Sequence, residues 1–172
     1  MAALLLVPHH DPDRGGQRDR LGLSARVLAI DPGTVRLGLA VSDPAGIIAQ
    51  PLQVLHRRSP REDLAALRRI VQELEVERIV VGLPRLMDGR LDVAAAAAQA
   101  FGAEVERATG KPVAYWDERL TTVAAERHLI AQGARRLKRR SNVDQVAATL
   151  LLQGYLDYQA GRGKETDDAT GD

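Results

Sequence analysis

Three carboxylates, Asp31, Glu118 and Asp144, are the residues of this chain best suited to act together. Asp31 closes a short aliphatic run, Arg26-Val-Leu-Ala-Ile30, and the turn Pro32-Gly-Thr34 follows at once. An acid at the end of a buried strand is costly unless it has a partner. A backbone N–H of the turn or a bound cation would each serve. Glu118 ends a second apolar run, and Asp144 opens the last helical pattern. Oxygen donors drawn from distant parts of a chain suit Mg²⁺ or Mn²⁺, hard ions that prefer carboxylates. Two such ions about 3.5–4 Å apart activate a water and stabilise the leaving oxygen of a phosphodiester. That chemistry needs no nucleophilic side chain. Structural uses compete with it. Ser141-Asn-Val-Asp144 has the spacing of a capping box, a first-turn acid suits the helix dipole, and Glu118 alone reads as a solvated loop acid.

Phosphate contacts are the second kind of chemistry. Arg135-Arg-Leu-Lys-Arg-Arg140 carries five cations in six positions just ahead of Asp144. Such a run can hold a phosphate backbone beside the acids, or simply be a solvated loop. Arg135, Lys138, Arg139 and Arg140, together with Arg36 just past the first turn, are the candidate substrate contacts. Zinc is not favoured: there is no Cys, His9 and His10 lie in a polar extension, and His56 and His128 are isolated.

The elements that must position these residues follow from periodicity and punctuation. Arg26–Ile30 and Arg36–Ser42 read as a β-hairpin across Pro32-Gly-Thr34. A third extended run begins at Gly46 and ends near His56, and Pro51 within it argues for a sheet edge or bulge. Ser59-Pro-Arg-Glu62 is a helix start with an N-cap, a first-turn Pro and a capping Glu. Leu64, Leu67, Ile70, Val71 and Leu74 continue that helix. Arg78–Leu83 is apolar throughout, as in a strand buried on both faces. Ala94, Ala97, Ala98, Phe101, Val105 and Ala108 give a second helix, closed by Gly110. Pro112–Trp116 is a fifth strand that ends at Asp117-Glu118. A helix capped at Thr121 or Thr122 runs to Gly133. The last helix carries Val143, Val146, Ala147, Leu150, Leu151, Gly154 and Tyr155 on one stripe. The expected architecture is α/β: a five-stranded mixed sheet flanked by helices, with the strand-ending acids at the edge where open sheets bind ligands.

Composition bounds the rest. The 172 residues fit one domain, expected over residues 26–160, with a disordered extension at 1–25 and a fraying tail at 161–172. Hydrophobic residues make up 45% and aromatics 3%, so the core is aliphatic and stacking on bases has few candidates. Tyr115 and Trp116 are expected in the core. The absence of Cys rules out disulfides and thiolate chemistry and suits the cytoplasm. Met1–Val7 lacks the basic flank and length of a signal peptide, and no segment has the roughly 20 apolar residues of a membrane span. With 24 Lys+Arg against 23 Asp+Glu, bulk charge carries no information about nucleic acid.

Several motifs, in order, resemble those of the YqgF family, described as pre-16S rRNA nucleases and Holliday-junction-resolvase-like proteins. Ile30-Asp-Pro-Gly-Thr-Val-Arg-Leu-Gly-Leu-Ala-Val-Ser-Asp43 resembles its opening motif, and Ile79-Val-Val-Gly-Leu-Pro84 with Met87-Asp-Gly89 its central one. Asp117-Glu-Arg-Leu-Thr-Thr122 with Ala125-Glu126 resembles the third. Lys138-Arg-Arg140, Val143-Asp144 and Ala147-Ala148 resemble the fourth, ahead of Leu152-Gln-Gly-Tyr-Leu-Asp157. The resemblance covers about residues 26–158. It implies an RNase H-like fold, a cytoplasmic metal-dependent nuclease acting on structured RNA in 5′-end processing of pre-16S rRNA, and catalytic acids at Asp31, Glu118 and Asp144. Arg85-Leu86 depart from the small or amide residues usual before Met-Asp-Gly. Related resolvases carry an acid at the end of the fourth strand, where Gly82-Leu83 stand here, so the second acid must come from strand five. Two other readings compete. Asp31-Pro-Gly-Thr34 also looks like the phosphate hairpin of sugar kinases and actin-like ATPases, which need a second domain. A nucleic-acid-binding factor without catalysis, acting in transcription or ribosome assembly, would share the same surface.

Overall fold

The computed structural model describes residues 26–84, 93–117 and 143–168. In chain order the elements are β1 (Val27–Pro32), β2 (Arg36–Ser42), β3 (Ala49–His56), α1 (Pro60–Glu73), β4 (Arg78–Leu83), α2 (Val93–Thr109), β5 (Val113–Asp117) and α3 (Val143–Asp168). The sheet order is β3-β2-β1-β4-β5. β1, β2 and β3 form an antiparallel meander, while β4 lies parallel to β1 and β5 parallel to β4. This is the mixed sheet expected from the sequence. The C-terminal ends of β1, β3, β4 and β5 therefore share one end of the sheet.

Alternation along the strands assigns the two faces. Leu28, Ile30, Leu37, Leu39, Ile79 and Val81 pack under α1 and α2 with Leu67, Ile70, Val71, Phe101 and Val105. Val27, Ala29, Ala40, Val80 and Trp116 pack against Ala148, Leu151, Leu152, Tyr155 and Leu156 of α3. Successive residues of a strand point to opposite faces, so the apolar runs of β1 and β4 supply both layers at once. Small side chains let α2 approach: Ala95 and Ala98 are buried with Leu83 beneath them. Trp116 is buried, and Tyr115, partly buried, donates its hydroxyl to the carbonyl of Gln99 at 2.9 Å. Burial and the nearby Glu106 carboxylate raise the Tyr115 phenol above its ordinary value.

The local signals mostly act as read. Ser59 caps α1, accepting from the Glu62 N–H at 3.2 Å, while its hydroxyl donates to the Glu62 carboxylate at 2.8 Å. Gly110 ends α2 with φ +69°, the left-handed turn that glycine enters without steric cost. Pro51 lies on the edge strand, beside a register irregularity opposite Leu39 and Ala40.

Three details differ from the sequence reading. Gly46 does not begin a strand. It sits in a turn at φ 72°, and the Asp43 carboxylate accepts the N–H groups of Ile47 and Ile48 at 2.7 and 2.8 Å, so β3 starts only at Ala49. The buried face of α3 is also rotated. Ala148, Leu151, Leu152, Tyr155 and Leu156 are buried, while Val146, Ala147 and Leu150 are only half-buried. Apolar residues nearly encircle this helix, so its periodicity does not select a face. The helix also continues to Asp168, past the Gly- and Asp-rich point where its composition predicts fraying. The extension 1–25 and the helix expected from Thr121 to Gly133 lie outside the described residues. Among the described residues, no helix is long and apolar enough to cross a membrane.

Candidate active site

The site is built on a cross-strand pair. Asp31, near the end of β1, is the Cα partner of Gly38 on β2. Val27 and Ala29 face α3, so alternation places Asp31 on that same face. Gly38 lies on it too, two residues before Ala40. Its missing side chain leaves a gap beside Asp31, and the first turn of α3 fills the gap. A Cβ built on Gly38 would overlap the Asp144 carbonyl oxygen and lie 2.7 Å from its carbonyl carbon and 3.2 Å from its Cβ. Glycine inside a strand often marks such a close approach. On the other side of Asp31, β4 presents Gly82, one residue past Val81, the partner of Ile30. Asp31 thus stands between two glycine positions, and Asp144 is brought down beside it.

Arg36 completes the arrangement. It opens β2 on the face shared with Gly38, and its Nε forms an ion pair with the Asp144 carboxylate at 3.0 Å. Both groups remain in contact with solvent, with side chains 52% and 33% exposed, so the pair does little for the fold and stays available to a ligand. The turn between β1 and β2 is fixed from the opposite side. Gly33 N–H donates to the Arg36 carbonyl at 2.9 Å, closing the turn. Arg57 then holds it. Its backbone N–H donates to the Val35 carbonyl at 2.9 Å and its Nη1 to the Gly33 carbonyl at 3.0 Å. The same guanidinium donates through Nε to the buried carboxylate of Asp63 at 3.1 Å and lies 5.3 Å from the centre of the Phe101 ring. One side chain therefore ties the turn to both α1 and α2.

Of the residues anticipated from sequence, the fold brings Asp31, Asp144 and Arg36 together. Glu118, Arg135, Lys138, Arg139 and Arg140 lie outside the described residues. So does most of the central loop, and so do Ser141 and Asn142, which the capping-box reading of Asp144 requires. Among the described residues, Asp31 and Asp144 are linked through Gly38, and no group of three or more ligating side chains is gathered. Asp117 is Leu83's partner on β5 and follows Trp116, which faces α3, so it falls on the face of α1 and α2, opposite to Asp31. Gly38 and Arg57 were not singled out by sequence reasoning. A glycine in a strand interior could have flagged the first. Arg57 carries no local signal, because its partners lie 6 to 44 positions away and become visible only in the fold.

The donor set suits a divalent cation in kind. Both acids offer hard oxygen ligands, and neither glycine sets a side chain of its own beside Asp31.

The comparisons with known proteins bear on the family and the fold. Residues 25–158 match the family model described as "RuvX: Holliday junction resolvase". A protein of Moorella thermoacetica, named "Putative pre-16S rRNA nuclease", is 49% identical over 138 residues, which is 80% of this chain and 99% of that one. A protein of the same name from Halothermothrix orenii is 43% identical over 134 residues, 78% of this chain and 96% of its own. Among solved structures, RuvC of T. thermophilus in complex with a Holliday junction substrate superposes with a TM-score of 0.57 at 19% identity, covering 80% of this chain and 96% of that one. That likeness bears on the fold, which is RNase H-like as expected.

Proposed function

The chain belongs to the RuvX family, also known as YqgF, and on that footing we propose that it is a nuclease that hydrolyses phosphodiester bonds in the 5′-end processing of pre-16S rRNA, in the cytoplasm. One observation carries the reading: Asp144, far from Asp31 in sequence, packs its backbone on Gly38, the cross-strand partner of Asp31, at the end of the sheet where the parallel strands finish. The hard oxygen ligands of the two acids suit Mg²⁺ or Mn²⁺. Glu118 is the third ligand in this proposal. Asp117 faces away from Asp31, and the motif Asp117-Glu-Arg-Leu-Thr-Thr122 supports Glu118 in its place. A divalent cation so held supplies positive charge for the phosphoryl oxygens and lowers the pKa of a bound water.

The protein's own part is positional and electrostatic. Asp31, Glu118 and Asp144 would hold the cation and compensate its charge. Arg36, already 3.0 Å from Asp144 and half-exposed, can turn its guanidinium to a phosphate oxygen when the carboxylate is otherwise engaged. Arg135, Lys138, Arg139 and Arg140, just ahead of Asp144 in the chain, are proposed to hold the substrate's phosphates. Water attacks phosphorus, the P–O bond to the leaving nucleotide breaks, and the departing oxygen takes up a proton. No side-chain nucleophile takes part.

A cleavage assay with Mg²⁺ or Mn²⁺ tests this reading against the binding factor without catalysis. The substrates are a 5′-extended pre-16S rRNA, an unstructured RNA and a four-way DNA junction. Metal-dependent cutting of the extended rRNA is the expected result. Tight binding with no cutting of any of the three would favour the non-catalytic factor.

A further inference from the structure

A second patch at the same end of the sheet has a chemistry of its own. The stretch His56-Arg-Arg-Ser-Pro-Arg-Glu-Asp63 leaves β3 at the end where Asp31 lies, because β3 runs parallel to β1 with β2 antiparallel between them. His56 is the Cα partner of Arg36, so the two stand on the same face as Asp144. Each acid of the stretch is engaged within it. Glu62 is held by the Ser59 hydroxyl at 2.8 Å. Asp63, buried, accepts from Arg57 Nε and from the Arg58 N–H, both at 3.1 Å. Arg57 is itself committed to the turn and to Asp63. His56, Arg58 and Arg61 remain: all three are exposed, and among the described residues none makes an ion pair. An ordinary solvated face mixes both signs. Here Asp63 turns inward and the exposed Glu62 is held by Ser59, while the cations face outward, from His56 beside Arg36 at the end of the edge strand, through Arg58 in the loop, to Arg61 in the first turn of α1.

We propose that His56, Arg58 and Arg61 form a second backbone-binding tract, which grips the phosphates of the nucleic-acid strand where it passes from the acid pair over the β3 edge. The proposal rests on the nuclease reading and extends it: this tract holds the substrate strand where it leaves the acid pair. Arginine supplies charge and forked N–H donors to phosphate oxygens, and the His56 ring supplies one further N–H. Such contacts fix the path of the strand without reading its bases.

The test uses full-length protein carrying Asp31→Asn, so that the probe survives, and a labelled structured RNA derived from the 5′ region of pre-16S rRNA. Dissociation constants are measured against KCl concentration for this background, for the background with Arg58→Gln/Arg61→Gln, and for the background with Arg68→Gln/Arg69→Gln. The last pair is exposed on α1 and makes the same change in net charge. The tract predicts that the first pair lowers the log–log salt slope by about 1.4–1.8, at roughly 0.7–0.9 per phosphate contact, while the second leaves it unchanged. Parallel salt lines for the first pair, or equal losses from both pairs, would overturn the tract and leave the nuclease reading standing. A background that binds neither this RNA nor a four-way junction would overturn both.

Discussion

Gly38 and Asp144 share one space: the position of the side chain that glycine lacks is taken by the backbone of the first turn of α3. The contact decides where Asp144 sits relative to Asp31, because Gly38 is Asp31's cross-strand partner. The obstacle to any larger residue is a backbone carbonyl rather than the end of a flexible side chain, so it cannot give way locally.

Gly38→Ala should therefore push the start of α3 off the sheet. Overpacking of this kind costs about 1–3 kcal/mol. At this chain size that corresponds to a fall in Tm of a few degrees. Cleavage should fall further than stability does, because the displaced turn carries Asp144. Thermal melts and cleavage rates measured on the same preparation check this, and a variant indistinguishable from wild type in both would show that the contact is slack.

Asp63→Ala removes the buried acceptor of Arg57 and of the Arg58 N–H. The expected loss is about 2 kcal/mol, the scale of a charge-assisted hydrogen bond deleted from a mostly buried site. The Arg57 guanidinium should then loosen from the Gly33 carbonyl, and amide exchange should speed up through Gly33–Arg36. Denaturant unfolding with hydrogen exchange reads both effects. Full stability with unchanged exchange in the turn would mean that Arg57 is not held through Asp63.

The adjacent acids Asp117 and Glu118 make a paired prediction. Trp116 packs against α3, which puts Asp117 on the face of α1 and α2. Glu118→Gln is expected to cost at least about two orders of magnitude in cleavage, through lost charge compensation of the metal. Asp117→Asn should act mainly on stability. Assays at saturating metal, with folding checked by melts, separate the two. A dead Asp117→Asn beside a nearly normal Glu118→Gln would move the site one residue back.

The sheet was legible because its signals are local. Turn residues separate β1 from β2, Ser59-Pro60 opens α1, and β4 is apolar on both faces. Pro51 on the edge strand follows from the donor that proline lacks. The orientation of α3 was not legible, because apolar residues surround it and the face that packs is chosen by Gly38, Ala29 and Ala40 beneath it. The choice between Asp117 and Glu118 was open for a related reason. β5 is apolar in both directions, and only the packing of Trp116 shows which way alternation runs. Asp31 and Asp144 could be named as acids in suggestive places, but their meeting depends on a glycine more than a hundred residues away from one of them, and such a contact has no sequence signature.

The central claim is that Asp31 anchors a metal-dependent hydrolytic centre, and it is tested most directly by the cleavage rate of Asp31→Asn on 5′-extended pre-16S rRNA with saturating Mg²⁺ or Mn²⁺. The substitution keeps the size of the side chain and removes its charge. The account predicts that cleavage is abolished while the thermal melt without metal is unchanged or slightly raised, since neighbouring carboxylates disfavour each other's ionisation. A wild-type cleavage rate in Asp31→Asn would contradict it.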